Sequence, residues 1–288
     1  YKAAPGSTFK IVSATAGLLE NVINLQSRVN CVGTFTEITP SPRCWKISGH
    51  GYENVTSAIK DSCNYFFYTI GHDLGIDTLG EYAHALGLGV STGIELVETT
   101  GNMSNAANHM DYAGSEWRIG DTLQAAIGQS DSVFTPLQLA EYCAAVANNS
   151  ERHSASILKS IRNYDYSEKV YERQDEVLST VESPQYNWDA IHEGMKEVIN
   201  SPLNETNYLN FYDCAVTVAG KTGTAQKGEG IKNDGLFICY APYEDPEIAV
   251  AVVVERGHAG ASVGFIARQI VDVYLNIRSY SNTSESEM

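Results

Sequence analysis

The stretch VAGKTGTAQ, from Val218 to Gln226, contains the only lysine of the 288-residue chain that is followed by Ser or Thr and then by Gly. Two further apolar runs follow this segment, so that the three runs read DCAVTVAGKTGTAQ, GLFICYAPY and IAVAVVVERG. Gly, Pro, Asn and Asp residues separate the runs, and this alternation predicts consecutive antiparallel strands. Lys221 is therefore expected on the first strand of a sheet.

A second motif lies almost at the start of the chain, in PGSTFK, where Ser7 precedes Lys10 by three positions. Pro5 and Gly6 interrupt what comes before, and the apolar residues from Ile11 onward follow helical spacing. The spacing S-x-x-K by itself carries little weight, because it recurs twice. The two other matches are expected to be solvated surface pairs: Ser57 with Lys60, and Ser156 with Lys159.

A third motif lies between the other two in the sequence. Ser62-Cys63-Asn64 is the only S-x-N in the chain, and it lies in a stretch from Val55 to Ile70 that is predicted to be helical. The ordered set S-x-x-K, S-x-N and K-T-G is typical of penicillin-binding proteins and class A β-lactamases. Here the set is formed by Ser7, Ser62 and Lys221 in the required order.

The resemblance extends beyond these three motifs. The stretches PGSTFK, SGHGYENVTSAIKDSCNYFFY, AIGQSDSVFTPLQLA and VAGKTGTAQ resemble the transpeptidase domain of class B, high-molecular-weight penicillin-binding proteins, over roughly Tyr1 to Arg278. The resemblance implies an α+β fold in which helices pack on an antiparallel sheet beside an all-helical subdomain. It places the transpeptidase domain at 1–288, the helical subdomain at about 21–205, the sheet-containing part at 1–20 plus 206–278, and a flexible tail at 279–288.

The remaining segments agree with such a fold. Residues 99–117 are rich in Gly, Asn and Ser and are expected to form a surface loop, whereas 160–187 is charged and irregular and is expected to contain a hairpin. Apolar periodicity predicts three further helices, at Pro136–Ala147, Trp188–Ile199 and Phe265–Ile277.

The chemistry of the first motif follows from its residue types. A serine hydroxyl is a poor nucleophile at neutral pH and needs a nearby base. Positions i and i+3 of a helix share a face, so Lys10 can direct its amine toward Ser7. To accept a proton, Lys10 needs a pKa far below the usual ~10.4, which burial and a second cation would provide. The resemblance implies that Lys221 is this cation.

The resemblance also implies the other roles at the site. The backbone N–H groups of Ser7 and Thr224 would form an oxyanion hole, and Ser62 would relay a proton to the leaving amine. Asn64 would bind the peptide backbone of the substrate. Three residues, Lys221, Thr222 and Thr224, would hold its terminal carboxylate. Gly223, without a side chain, would let the substrate lie along the strand edge.

The implied activity is that of a serine D,D-transpeptidase in peptidoglycan synthesis, with an acyl-enzyme at Ser7. Its implied partners are stem peptides ending in D-Ala-D-Ala, β-lactams, and glycosyltransferases or other proteins of the division or elongation machinery. The implied location is the extracytoplasmic face of the bacterial cell membrane, and no metal or organic cofactor is implied. The formal charge of −16 argues against a nucleic-acid surface.

Other activities remain open. In a D,D-carboxypeptidase or a β-lactamase, water would resolve the ester, and a class A β-lactamase would need a glutamate beside that water. Only Glu95 and Glu98 are nearby candidates. Class D enzymes have an aliphatic residue in place of Asn64. A non-catalytic β-lactam sensor or scaffold would keep the pocket but would not turn over peptide.

The six cysteines include no C-x-x-C pair, and the chain has no H-E-x-x-H, so the sequence argues against a zinc site. Cys31 and Cys44 flank a loop and could form a disulfide or remain two free thiols. The other four are expected to be small packing residues: Cys63, Cys143, Cys214 and Cys239.

The first residue, Tyr1, is not a natural start, which predicts that the sequence is a piece of a longer protein. Only six residues precede Ser7. The N-terminal strands that the family places before the nucleophile are therefore expected to be missing from the sheet.

Overall fold

The structure, a computed structural model, describes residues 1–228 and 230–286. The helices in this part of the chain are α1 Lys10–Leu19, α2 Val55–Lys60, α3 Asn64–Ala85, α4 Ala106–Ala113, α5 Ile119–Ala126, α6 Pro136–Ala147, α7 Gln185–Asn200, α8 Glu205–Phe211 and α9 Gly264–Ser286. Short 3₁₀ turns lie at Gly6–Phe9 and Gly260–Val263. The strands are β1 Val29–Cys31, β2 Gly51–Glu53, β3 Glu151–His153, β4 Ser160–Arg162, β5 Lys169–Glu172, β6 Val177–Thr180, β7 Ala219–Ala225, β8 Asp234–Ala241 and β9 Ile248–Val254.

The three C-terminal strands form one antiparallel sheet in the order β7-β8-β9, as their turn-separated apolar runs predict. Strand β8 is central and buried along its whole length, because α6 and α9 both pack on the sheet. Strand β7 pairs only with β8 in the described chain, which leaves its other edge facing the 3₁₀ turn Gly6–Phe9 and the cavity described below.

Helix α1 lies at the centre of the molecule. Every residue from Lys10 to Leu18 is buried, and the helix packs against α3 and α7. The apolar residues of α1 place the helix in the core. Lys10, the first residue of the helix, is therefore buried as well. A lysine at the buried start of a core helix cannot reach bulk water, and its amine must find partners inside the protein.

The predicted helix from Val55 to Ile70 is interrupted, and this prediction was wrong in one important respect. Helix α2 ends at Lys60, α3 begins at Asn64, and Ser62 between them has a φ of +51°. At this break the Ser62 carbonyl accepts hydrogen bonds from the side chains of Lys10 and Trp45. The S-x-N motif therefore lies at a helix–helix junction rather than within a helix.

The loop predicted at 99–117 contains a short helix, α4. Asn105 caps it, because its Oδ1 accepts from Asn108 N at 2.9 Å while Asn108 Oδ1 accepts from Asn105 N at 3.3 Å. The Asn-rich composition that indicated a loop instead supplies this reciprocal cap.

The charged segment 160–187 does contain a hairpin, formed by β4 and β5, and β6 pairs with β3. Helix α9 continues to Ser286, beyond the predicted end at Ile277. The subdomain division at about 21–205 stays a prediction, as does the flexible tail at 279–288, whose last two residues lie outside the described residues. No helix in the described part of the chain is both long and apolar enough to cross a membrane.

Candidate active site

The three motifs meet at a cavity of about 390 Å³ between the helical part and the free edge of β7. The 3₁₀ turn before α1 supplies Ser7, the α2–α3 junction supplies Ser62 and Asn64, and β7 supplies Thr222 and Thr224. All five side chains line the cavity. The residues that the sequence analysis grouped together are thus close in space, although more than 200 positions separate Ser7 from Thr222 in the chain.

The amines of Lys10 and Lys221 lie beneath this surface, and both residues are fully buried. Lys10 Nζ lies 2.7 Å from Ser62 O, 3.0 Å from Ser62 Oγ and 2.6 Å from Asn64 Oδ1. Lys221 Nζ lies 3.1 Å from the same Ser62 Oγ and 3.3 Å from Thr222 O. The Ser62 hydroxyl therefore bridges the two amines.

Burial lowers the pKa of Lys10 to about 7, because the protein interior solvates an ammonium group poorly; the thiols of Cys63 and Cys44 act in the opposite direction. Near neutrality a large fraction of Lys10 is then an uncharged amine. In that form its two N–H groups can donate to Ser62 O and Asn64 Oδ1, which are acceptors only. The remaining lone pair can accept the Ser62 O–H.

Burial also holds the pKa of Lys221 well below its usual range, with the Lys10 amine as the second cause. The sequence analysis expected burial and the Lys221 cation together to lower the pKa of Lys10, and burial is the cause that lowers it here. The Lys221 amine contacts Ser62 Oγ and Thr222 O below the cavity surface rather than pointing into the cavity.

Among the described residues, no hydrogen bond joins Ser7 Oγ to Lys10 Nζ, although i,i+3 spacing predicts that the two groups approach each other. The Lys10 amine is turned to Ser62 and Asn64 instead. Ser7 lies in the 3₁₀ turn Gly6–Phe9, and Lys10 is the first residue of α1 directly after that turn.

Two glycines explain how the Ser7 turn comes so close to β7. A Cβ on Gly6, which has a φ of +54°, would lie 2.5 Å from Thr224 O and 2.8 Å from Thr224 N. A Cβ on Gly223 would lie 2.6 Å from Pro5 O. A side chain at either position would clash with these backbone atoms and would force the Gly6–Phe9 turn away from β7. The turn that contains Ser7 is thereby held directly against Thr224 of β7.

This geometry corrects the reason given for Gly223. Its missing side chain was expected to make room for substrate, but Gly223 is buried and its face points to Pro5 and Thr8. Thr222 and Thr224, on the alternate face of the strand, are the residues that line the cavity. The missing side chain of Gly223 therefore makes room for the turn that contains Ser7.

Gln129 was missed by the sequence analysis. Its Nε2 donates to Thr224 O at 2.8 Å, and its Oε1 accepts from Gln226 N at 3.3 Å. The side-chain amide thus pairs with the end of β7 as a neighbouring strand would. The surrounding stretch AIGQSDSVFTPLQLA pointed to this region, but only the folded chain shows which residue contacts the strand.

Trp45 is a second residue that the sequence did not single out. It lines the cavity, and its Nε1 lies 3.1 Å from both Asp61 O and Ser62 O. The indole thereby adds a donor to the carbonyl that also accepts from Lys10. This contact helps to fix the helix junction in its positive-φ conformation.

The other S-x-x-K pairs have structural roles. Ser57 caps α2 with Asn54 and bonds the Glu53 carboxylate, and Lys60 pairs with Asp61 at 3.5 Å. Ser156, which is half-buried, donates its hydroxyl to the Glu95 carboxylate.

The two candidate glutamates for a deacylating water are also engaged elsewhere. Glu95 accepts from Ser156 and Ile157 N, and Glu98 accepts from Ser91 and Thr92. Neither residue lines the cavity.

All six cysteines are free thiols, so Cys31 and Cys44 take the second of the two states that the sequence left open. Cys31, Cys44 and Cys63 converge with His50 directly behind the S-x-N motif, and their ligand atoms all lie within 4.8 Å of one another. Cys63 is fully buried, as expected of a packing residue, and its thiol also belongs to this cluster. The absence of short metal motifs did not exclude a long-range cluster.

Comparison with known proteins identifies relatives of this arrangement. The family described as penicillin binding protein transpeptidase domain matches residues 1–272. The peptidoglycan D,D-transpeptidase MrdA of Haemophilus influenzae is 32% identical over 295 residues, covering 95% of this chain and 44% of the relative. The chain thus spans less than half the length of this curated relative.

Two solved structures have the same fold. PBP2 of Pseudomonas aeruginosa in complex with WCK 5153 superposes with a TM-score of 0.83 at 30% identity, over 95% of this chain and 61% of that one. PBP2 of Helicobacter pylori, in its complex with MreC, gives a TM-score of 0.83 at 26% identity, over 96% and 50% of the two chains. These likenesses confirm the predicted α+β fold class.

Proposed function

Because the chain belongs to the class B penicillin-binding protein transpeptidase family, we propose that it is a serine D,D-transpeptidase that cross-links peptidoglycan stem peptides. The observation that carries this proposal is the Ser62 hydroxyl held between two buried amines, at a cavity that also contains Ser7 and the edge of β7. The relative named as a peptidoglycan D,D-transpeptidase supports it as well.

In the proposed first half-reaction, Ser7 Oγ attacks the carbonyl carbon between the two terminal D-alanines, and its proton passes to Lys10 Nζ. The oxyanion that forms accepts hydrogen bonds from the backbone N–H groups of Ser7 and Thr224. Such paired donors typically contribute about 3–4 kcal/mol each to transition-state stabilisation. Lys10 suits the role of base because its pKa of about 7 keeps much of it neutral at neutral pH.

Collapse of the tetrahedral intermediate breaks the peptide bond and expels D-alanine. The leaving amine takes the Ser62 proton, which Lys10 replaces through the hydrogen bond of 3.0 Å. In the second half-reaction the amine of a neighbouring stem peptide attacks the ester, and the same protons move in reverse. Ser7 is then free again, and the two peptides are cross-linked.

The free edge of β7 is the proposed binding surface for the donor peptide, which would add as an extended strand. Thr222 and Thr224 would bind the terminal carboxylate, and an anion bound there would favour the protonated form of the nearby buried Lys221 amine. Asn64 lines the cavity beside them and would bind the peptide backbone. A β-lactam would acylate Ser7 by the first half-reaction, but the resulting ester would exclude the acceptor amine.

Peptidoglycan lies outside the bacterial cell membrane, so the proposed activity requires an extracytoplasmic location. PBP2 of Helicobacter pylori is described in complex with MreC. We extend to this chain the proposal that it acts together with proteins of a wall-synthesis machinery, including glycosyltransferases that polymerise the glycan.

The test is a coupled assay with a donor pentapeptide ending in D-Ala-D-Ala and an amine acceptor, followed by mass spectrometry of the products. We expect release of D-alanine together with the donor–acceptor adduct, both lost in Ser7→Ala. Hydrolysed tetrapeptide as the sole product would instead indicate a carboxypeptidase. A long-lived penicillin adduct without any peptide turnover would indicate a sensor.

A further inference from the structure

The wall of the active-site cavity carries charged side chains at one place only among the described residues. Lys60 and Asp61 line the cavity on the side of the S-x-N motif, and every other residue that lines it is neutral. The amines of Lys10 and Lys221 lie beneath the surface and are not part of the wall. A charged group of a ligand, apart from its terminal carboxylate, would therefore find its counter-charge at this pair.

The backbone holds the pair in place at the end of α2. Asp61 is the C-cap residue of this helix, and its N–H donates to Ser57 O at 2.8 Å. The carbonyls of Asp61 and Ser62 both accept from Trp45 Nε1 at 3.1 Å. The same short segment thus supplies the charged pair and the serine that contacts Lys10.

The two charged side chains are accessible to a ligand. Lys60 Nζ lies 3.5 Å from Asp61 Oδ1, which is longer than a tight charge-assisted hydrogen bond, and the side chains are 22% and 28% exposed. A partly exposed ion pair of this kind contributes little to stability, so it can exchange partners at low cost. An ammonium group has three donors and a carboxylate has two acceptor oxygens, so each group can bind a ligand while it keeps its contact with the other.

A buried carboxyl group behind the pair leaves the negative charge on Asp61. Glu53 is 3% exposed and accepts the Ser57 hydroxyl. Burial raises the pKa of Glu53 to about 7, and the neighbouring Asp61 acts in the same direction. Near neutrality a large fraction of Glu53 is therefore uncharged. Lys60 and Asp61 then present one positive and one negative charge to the cavity.

We propose that Lys60 and Asp61 bind the side chain of the residue immediately before the two D-alanines of the donor peptide, when that side chain ends in both an ammonium and a carboxylate group. This inference rests on the proposed function. The carboxylate of the ligand contacts Lys60 and its ammonium contacts Asp61, so that the four charges alternate in sign. Diaminopimelate, a diaminodicarboxylic acid, carries such a group, whereas lysine carries the ammonium alone.

The proposed position of the donor directs that residue toward the pair. The terminal carboxylate would lie at Thr222 and Thr224, and the preceding backbone at Asn64. Asn64 begins α3, three positions after Asp61. The residue before the D-alanines therefore extends along the side of the cavity where the charged pair lies. Because this contact is remote from the bond that breaks, its effect is expected mainly in KM.

The first test uses the wild-type chain and donor pentapeptides that differ only at the residue before the D-alanines. That residue is diaminopimelate, diaminopimelate with its distal carboxylate amidated, or lysine, and one amine acceptor is kept at a fixed saturating concentration. We expect kcat/KM for D-alanine release to be about tenfold higher for the unmodified diaminopimelate donor than for the other two. Equal kcat/KM for all donors would overturn the charged site while leaving transpeptidation standing. No release from any donor would contradict the proposed function, and this inference with it.

The second test assigns the preference to the pair. Lys60→Met should reduce the ratio of kcat/KM between the diaminopimelate and the lysine donor to about one, because the distal carboxylate loses its partner. Asp61→Asn should lower kcat/KM for both donors, since both carry the ammonium. The matched control is Lys46→Met, at an exposed position next to Trp45 that does not line the cavity, and it should keep the wild-type ratio.

A wild-type ratio in Lys60→Met would overturn the proposal, as would an equal loss of the ratio in Lys46→Met. A preference that appears only when the diaminopimelate peptide serves as the acceptor would also overturn it, because the charged group would then belong to the other strand.

Discussion

The Ser62 hydroxyl lies 3.0 Å from the Lys10 amine, at a helix junction that a helical prediction had placed inside a continuous helix. The contact exists because Ser62 leaves the helical conformation while Lys10 is carried into the core by α1. It connects two motifs that are 52 positions apart, and it gives the buried amine both an acceptor and a source of a proton.

Replacement of Lys10 by methionine tests the role of this amine. The side chain keeps its approximate shape, so the fold should persist by circular dichroism, while the rate of penicillin acylation should fall by about 10²–10⁴-fold. The matched control is Lys159→Met, in an S-x-x-K pair that lies outside the cavity. Comparable acylation by Lys10→Met and the control would show that Lys10 is not the base.

The acylation rate should depend on pH through Lys10. Burial lowers its pKa to about 7, so below that value the amine is protonated and has no lone pair to accept the Ser7 proton. We expect the rate to fall roughly tenfold per pH unit below about pH 7 and to level off above it. Stopped-flow acylation with folding monitored in parallel measures this, and a flat profile between about pH 5.5 and about pH 8.5 would exclude the assignment.

Gly223→Ala should disturb both stability and acylation. The new methyl group would lie 2.6 Å from Pro5 O and 2.9 Å from Thr8 Cγ2, so the Ser7 turn must move away from β7. Overpacking of this kind typically costs about 1–3 kcal/mol in the free energy of unfolding. Gly228→Ala is the control, because nothing lies within 4 Å of its added Cβ. Denaturant unfolding that fails to separate the two variants would contradict the packing argument.

Gln129→Leu removes both hydrogen bonds to the end of β7 and leaves Thr224 O without its side-chain donor. Loss of a partner to a buried acceptor costs about 1–3 kcal/mol. We expect a lower melting temperature and slower acylation, because Thr224 also supplies the oxyanion donor. Gln26→Ala, at an exposed position, is the control. If Gln129→Leu acylated at the wild-type rate, the strand end would not need this support.

The sequence was sufficient for elements whose signals are local. The strands β7 to β9 follow from apolar runs with turn residues between them, and α6 begins at the predicted Thr135-Pro136 start. It was also sufficient to predict that the three motifs lie together in space, because Ser7, Ser62 and Thr222 line one cavity. The sequence did not predict which atoms these residues contact, for example that both Lys10 and Lys221 approach the Ser62 hydroxyl.

The parts that the sequence missed depend on contacts between distant segments. The positive φ of Ser62 is held by Lys10 and Trp45, and neither contact leaves a local signal. The thiol cluster includes Cys31 and Cys63, which are 32 positions apart in the sequence, so no short spacing motif predicts it. Gly223 looked like a substrate-contact residue until the packing of Pro5 on its face became visible.

The central claim is that Ser7 is the nucleophile, and the most direct measurement is the site of its acyl adduct. Folded protein incubated with a labelled penicillin is digested and mapped by tandem mass spectrometry, with Ser7→Ala in parallel. The account predicts a stoichiometric adduct on Ser7 that is absent from the variant. An adduct on Ser57, Ser62 or Ser156, or equal labelling of Ser7→Ala, would contradict it.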